Sequence, residues 1–212
     1  FGEYGFPESH AASFALLVYA SAWLKKHHPA VFACALLNSQ PMGFYAPAQI
    51  VRDVREHGVV VRPVCINASY WDNTLEADGR GGFALRLGFR QIKGLSIEDG
   101  QWISAARGNG YPDIESLWRR AGITRRAVEK LAEADAFAHS PIAGEVTRRE
   151  ALWEARGLTA GKPLPLFADG EGLEEARPCL PAPSLGEEVV DDYRAIRLSL
   201  RAHPLAILRG EL

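Results

Sequence analysis

Ile92-Lys-Gly-Leu-Ser-Ile97 and, further along, Leu117-Trp-Arg-Arg-Ala-Gly-Ile-Thr124 decide how this chain is to be read. Each stretch sets a glycine between two apolar segments and follows it with a hydroxyl residue suited to capping a helix. Ser96 stands at capping-box spacing from Asp99, and Trp102 and Ile103 follow as apolar anchors. Thr124 caps a second helix with Val128 and Leu131 on its inner face. A glycine at such a corner, Gly94 or Gly122, lets the backbone approach a phosphate. The N–H groups at the start of the next helix can then donate to the phosphate oxygens. Lys93, Arg125 and Arg126 flank the corners, where their charge adds attraction that ignores base sequence.

Two such units in succession read as paired helix-hairpin-helix motifs sharing one core. Ser96 and Thr124 stand where the full motif has its second glycine, and two hairpins that only pack together fit the same residues. The charge distribution bears on the choice. The whole chain carries a formal net charge of -2, but Arg80 to Lys130 holds ten Lys and Arg against five acids. Glu171 to Asp192 holds seven acids against one base. A basic segment inside a near-neutral chain is what an anion-binding face requires, although solvated helix faces give the same composition.

The rest of the chain arranges itself around these units as a mainly α fold with a small β element. Residues 1–58 are helical. Ala11 to Lys26 repeats Phe14, Leu17, Val18 and Leu24 near a 3.6 period, with Ala and Ser opposite, and reads as a helix buried on most faces. Pro29 opens a second helix through Leu37, and Pro47 to His57 forms a third, with Ile50 and Val54 inward and Gly58 as a left-handed cap. Residues 59–90 change period. Val59 to Ile66 is β-branched, and Phe83, Leu85, Leu87 and Phe89 alternate with Ala84, Arg86, Gly88 and Arg90, which predicts two strands with Arg86 and Arg90 on the open face. Residues 91–156 hold the paired units and a helix from Thr147 to Arg156. Residues 157–184, rich in Gly, Pro and acids, read as a linker, and 185–212 as a C-terminal helix from Glu187 to Arg201 with Val189, Tyr193, Ile196 and Leu200 on one face. Trp102, Trp118 and Trp153 fall at helical spacing from other apolar residues and are assigned to the core.

Several chemistries are disfavoured. Cys34, Cys65 and Cys179 are far apart, which fits a reducing, cytoplasmic setting and neither a disulfide framework nor a zinc site. Asp191 and Asp192 are adjacent on a helix and face different ways, so they do not suggest a metal pair. No phosphate-binding Walker loop, nucleophile elbow or zinc-protease helix is present, and no catalytic residue, bound cofactor, metal or membrane span is expected in this chain. Tyr4, Ser9 and His10 place hydroxyls and an imidazole beside a helix start, a place for a nucleotide phosphate; Ser9 also reads as a simple N-cap.

Longer signatures resolve the open choices. Tyr4-Gly-Phe-Pro-Glu-Ser-His-Ala-Ala-Ser-Phe-Ala15, followed by Tyr19, Ala22-Trp-Leu-Lys25 and His28-Pro29, resembles the fingers signature of the bacterial C-family DNA polymerases, the DNA polymerase III alpha subunit family. Pro7-Glu8 in place of Asn-Lys, together with Leu37-Asn-Ser-Gln-Pro-Met-Gly-Phe-Tyr45, resembles its error-prone branch, which acts in damage-induced mutagenesis and translesion synthesis. Ile92-Lys-Gly-Leu95, Glu133-Ala-Asp-Ala-Phe137, Arg149-Glu-Ala-Leu-Trp153 and His203-Pro204 extend the resemblance along the chain.

The resemblance implies the end of a fingers domain, a tandem helix-hairpin-helix module gripping template-primer DNA, and a connector towards an OB domain. It implies that Tyr4, Ser9 and His10 lie near the incoming deoxynucleoside triphosphate, with Glu8 altering nucleotide selection. DNA contacts fall on Arg90, Lys93, Gly94, Ser96, Gly122, Thr124, Arg125 and Arg126. The carboxylates that hold Mg²⁺ belong to a palm upstream of Phe1, so the chain alone is expected to be inactive. Pro163-Leu-Pro-Leu-Phe167 sits where relatives carry a sliding-clamp peptide. Leu166 and Phe167 suit a clamp pocket, but Pro163 replaces the anchoring Gln, so the clamp is reached directly or through a mutagenesis accessory protein. A stand-alone DNA-binding adaptor is the alternative from another class, and a helical scaffold module that binds no DNA is a third.

Overall fold

The computed structural model describes residues 8–43, 45–140, 146–158 and 180–209. The chain divides into two compact units, one made of Phe1–Arg62 and Asn73–Arg86, the other of Pro63–Asp72 and Leu87–Leu212.

The first unit starts with α1 (Glu8–His27), α2 (Pro29–Asn38) and α3 (Pro47–Glu56). Pro29 and Pro47 each occupy the first turn of a helix, where the missing N–H has no intrahelical acceptor to lose. Gly58, at φ +81°, closes α3 as expected, its N–H donating to Arg55 O at 2.9 Å. Leu37 of α2 meets Ile50, Val51 and Val54 of α3 in a closed apolar layer. The β part is a three-stranded sheet rather than two strands. β1 (Val61–Arg62) runs parallel to β3 (Phe83–Arg86), which pairs antiparallel with β2 (Thr74–Ala77), giving the order β1-β3-β2.

Four sequence expectations change here. Strand β1 is two residues long because Pro63 supplies no N–H to continue the ladder. Alternation along β3 also fails, since Ala84 and Leu85 are both fully buried while Phe83 is 55% exposed. Arg86 is not on an open face: Glu76 accepts from its Nε at 2.8 Å and also from Arg62. These partners hold the Glu76 carboxyl below its ordinary value, Arg86 contributing most, against the opposing effect of burial. Finally, α1 has no buried residue, and Leu16, Val18 and Tyr19 are 70%, 64% and 72% exposed. A helix apolar on all sides carries no information about which side is covered.

A reciprocal amide clasp locks α2 to the sheet. Asn38 Nδ2 donates to Asn73 O at 2.9 Å, and Asn73 N and Nδ2 donate back to Asn38 Oδ1 at 2.9 and 2.7 Å. Asn73 is buried, with its N, O and Nδ2 all engaged, so this contact fixes the register of α2 against the sheet.

The second unit is helical: a 3-10 turn (Phe89–Gln91), then α4 (Ile97–Ala105), α5 (Ile114–Ala121), α6 (Arg125–Glu133), α7 (Arg148–Gly157), α8 (Leu185–Ile196) and α9 (Pro204–Leu208). Its segment 63–72 lies against the turn. Phe89 N–H donates to Tyr70 O and Arg90 N–H to Trp71 O, at 2.8 and 3.0 Å. Gly88 is essential to that approach, because a Cβ there would lie 2.4 Å from Trp71 O. Val64, Cys65 and Ile66, expected in a strand, are instead buried among helices, with Ile66 N–H bonded to Ala136 O at 3.0 Å. Asn67 pins the interior by donating to Tyr111 O and accepting from Tyr111 N, at 2.9 and 2.7 Å.

The C-terminal helix ends earlier than its apolar pattern suggests. Arg197 adopts φ 62° and terminates α8 at Ile196, and His203-Pro204 opens α9 rather than closing a longer helix. Buried on the inner face of α8 is Asp192, which the sequence places among solvated acids. It accepts from Arg148, from Ser199 Oγ at 2.7 Å and from Arg201 at 3.1 Å. Asp135, itself buried, accepts from Arg201 at 2.5 Å, and Glu188 lies 3.3 Å from Arg148. Burial weakens the Arg201 charge, but Asp135, Asp192 and Glu188 outweigh it and raise its pKa above the ordinary value.

Candidate nucleic-acid interface

Both glycine corners form, and both are open to solvent. Gly122 ends α5 at φ 64°, and its N–H donates to Trp118 O at 3.1 Å. Thr124 then caps α6, its Oγ1 accepting from Ala127 N at 3.2 Å. The N–H groups of Arg125 and Arg126, in the first turn of α6, have no intrahelical acceptor by construction of a helix. Gly122, Thr124, Arg125 and Arg126 are all exposed, and nothing lies within 4 Å of a Cβ placed on Gly122. An anion therefore meets a bare backbone corner, free amides and two cations together.

The first corner differs. Gly94 takes φ +83°, and Ser96 caps α4 with its Oγ accepting from Asp99 N at 3.0 Å, as its spacing predicts. The segment before it is only the three-residue 3-10 turn, because residues 88–90 are held against segment 70–72 and leave no length for a full helix. Lys93 N–H is not available for a ligand, since it donates to Ala195 O of α8 at 2.8 Å. Glu98 and Asp99 fill the first turn of α4, a favourable arrangement for the helix dipole but a repulsive one for a phosphate. Lys93, Gly94 and Ser96 remain exposed.

Much of the basic excess is internal. Arg90 pairs with Asp72 at 2.7 Å, which neutralises a charge expected to face DNA. Arg107 donates to the carbonyls of Ile66 and Ser69 and lies 5.1 Å over the Tyr70 ring. Burial lowers the Arg107 pKa, and the guanidinium serves the interior. Arg120 donates to Gly110 O and Ala106 O at 2.7 Å, closing the end of α4. Arg125 makes a loose 3.3 Å pair with Glu129 one turn along α6. Lys93 and Arg126 have no ion-pair partner among the described residues.

The tryptophans also depart from expectation. Trp102 and Trp153 are 62% and 61% exposed, and Trp118 is half-buried, while their neighbours Ile103, Leu117, Val128 and Leu131 are buried in the core. Helical spacing puts a residue on a face, but a ring at the edge of that face stays in solvent.

Of the trio expected near a nucleotide, Ser9 and His10 lie in the exposed first turn of α1, where Glu8 ahead of Ser9 is already helical, so Ser9 is not its N-cap. His10 stacks on Phe14 at 4.3 Å. Tyr4, Leu166 and Phe167 fall outside the described residues. Among the described residues no cluster of three or more His, Cys, Asp or Glu side chains is arranged to hold a metal, and no helix is long and apolar enough to cross a membrane.

A family model described as helix-hairpin-helix motif matches residues 58–151, which contain both corners. Along 99% of its length the chain is 63% identical to an error-prone DNA polymerase of Ruegeria pomeroyi. The chain is thus similar, along its whole length, to a segment of error-prone DNA polymerases. Similarity continues with members from Brucella abortus, at 57% identity over the full chain, and Alkalilimnicola ehrlichii, at 54%. The chain spans about a fifth of the length of these curated relatives. The matched segment includes helix-hairpin-helix structure and agrees with the mainly α reading of its sequence.

Proposed function

We propose that the chain is the part of an error-prone, DNA-directed DNA polymerase that completes the fingers and holds template-primer duplex by its phosphates. The observation that carries this is the open corner at Gly122, followed by exposed Arg125 and Arg126 in the first turn of α6. Contacts of that kind position a duplex without reading it, which suits an enzyme that must move along any sequence. Deoxynucleoside triphosphates are the second substrate, with Ser9, His10 and Tyr4 on the nucleotide side. The carboxylates that would hold Mg²⁺ are supplied by another segment of the longer chain; the metal would activate the primer 3′-hydroxyl and stabilise the leaving pyrophosphate. Damage-induced mutagenesis in the cytoplasm is the setting, and the sliding clamp, reached through Leu166 and Phe167 or an accessory protein, is the proposed further partner.

The complete chain is expected to extend a primed template with Mg²⁺ and deoxynucleoside triphosphates. Its affinity for primed duplexes of different sequence should be equal and should fall linearly with salt on logarithmic axes. Failure to extend any primer, or affinity for duplex that ignores salt, overturns the reading.

A further inference from the structure

We infer that Lys130, carried by the second hairpin, is the phosphate-binding cation of the first corner. The inference rests on the DNA-binding reading above and deepens it. The first corner is poorly equipped by its own residues: its helix opens with Glu98 and Asp99, and Lys93 N–H is tied to Ala195. Lys93 supplies one side-chain charge against those two acids. Lys130 reaches the same place from α6. A Cβ built on Gly94 would lie 3.9 Å from both Cδ and Cε of Lys130, so the lysine stem runs past the glycine.

The stem is partly covered, with the side chain 27% exposed, which limits the freedom it loses on binding. Its ammonium is not idle. Lys130 Nζ donates to Glu133 Oε2 at 2.6 Å, one turn along the same helix. Glu133 is itself 38% exposed and acts as an internal counter-ion that an arriving phosphate displaces. The glutamate leaves for solvent, the phosphate takes the ammonium, and no covalent change is involved. Because the Lys130 stem lies beside Gly94 while its backbone sits in α6, one duplex strand held at Gly94 is tied mechanically to the helix that starts at the other corner.

Opposite responses from the two partners test this in the complete chain, using a primed DNA duplex as probe. Lys130→Gln is expected to reduce the salt slope by about 0.9 and the affinity by roughly 8-fold at about 0.1 M salt, the effect of losing one phosphate contact. Glu133→Gln is expected to raise affinity, since it frees the ammonium. Equal weakening by both variants would show that the pair only braces α6, and no change with Lys130→Gln would show that the cation never meets DNA; either result overturns the inference. A double variant Arg125→Ala/Arg126→Ala separates the levels. If it weakens binding while Lys130→Gln does not, only the assignment of Lys130 fails; if neither does, the phosphate-gripping role of the whole module fails with it.

Discussion

Asp192→Ala is expected to destabilise the second unit by about 3–5 kcal/mol, the cost of leaving a buried charge without its partner. Arg148, whose side chain is 3% exposed, donates to Asp192, and its Nε and Nη1 have no hydrogen-bond partner among the described residues. Removing the carboxylate takes away the main compensation for burying that guanidinium and also releases Ser199 and Arg201. The neighbouring Asp191→Ala is the internal control. Among the described residues Asp191 pairs only with Arg194, at 3.3 Å on the surface, an interaction contributing about 0–1 kcal/mol. Amide exchange in the complete chain reads both: α7 and α8 should lose protection in the first variant and keep it in the second. Equal protection in the two variants would show that the cluster does not hold these helices together.

The second large effect falls on DNA. Arg125→Ala/Arg126→Ala removes two cations at the α6 corner without touching the apolar face of that helix, because Ala127, Val128 and Leu131 carry the packing. Losing two phosphate contacts should lower the salt slope by about 1.8 and affinity by roughly 60-fold at about 0.1 M salt, uniformly across sequences. Alanine propagates a helix well, so α6 itself should persist. A loss confined to particular sequences would point to base reading instead, and an unchanged slope would remove this corner from the interface.

The corners were legible in the sequence because their geometry is local. Ser96 reaches Asp99, and Thr124 reaches Ala127, three residues along the chain, and a left-handed turn after α5 calls for a residue such as Gly122. What was not legible depends on distant partners. Strand β2 reads Thr-Leu-Glu-Ala, an unremarkable tetrapeptide that becomes a strand only because β3 lies beside it. Arg86 and Arg90 look like surface cations until Glu76 and Asp72 are placed next to them. Asp192 had a signal that was available: it falls three residues after Val189 and four before Ile196, both buried, and so on the inner face. The early end of α8 had none, since Arg197 takes a left-handed conformation without the glycine that usually announces it. Lys130 needed the fold, because nothing in the spacing of residues 94 and 130 brings them together.

In the proposed DNA complex, backbone amides at the two corners, supported by nearby cations, face the sugar-phosphate chain. Amide hydrogen exchange in the complete protein, with and without primed duplex DNA, addresses those groups themselves. The first-turn amides of α4 and α6 lack intrahelical acceptors and should exchange fast in the free protein. The prediction is slowed exchange across residues 122–126, with a smaller effect across 94–98, and reversal of both on raising salt to about 1 M. Exchange that stays fast at both corners while DNA is demonstrably bound would contradict it.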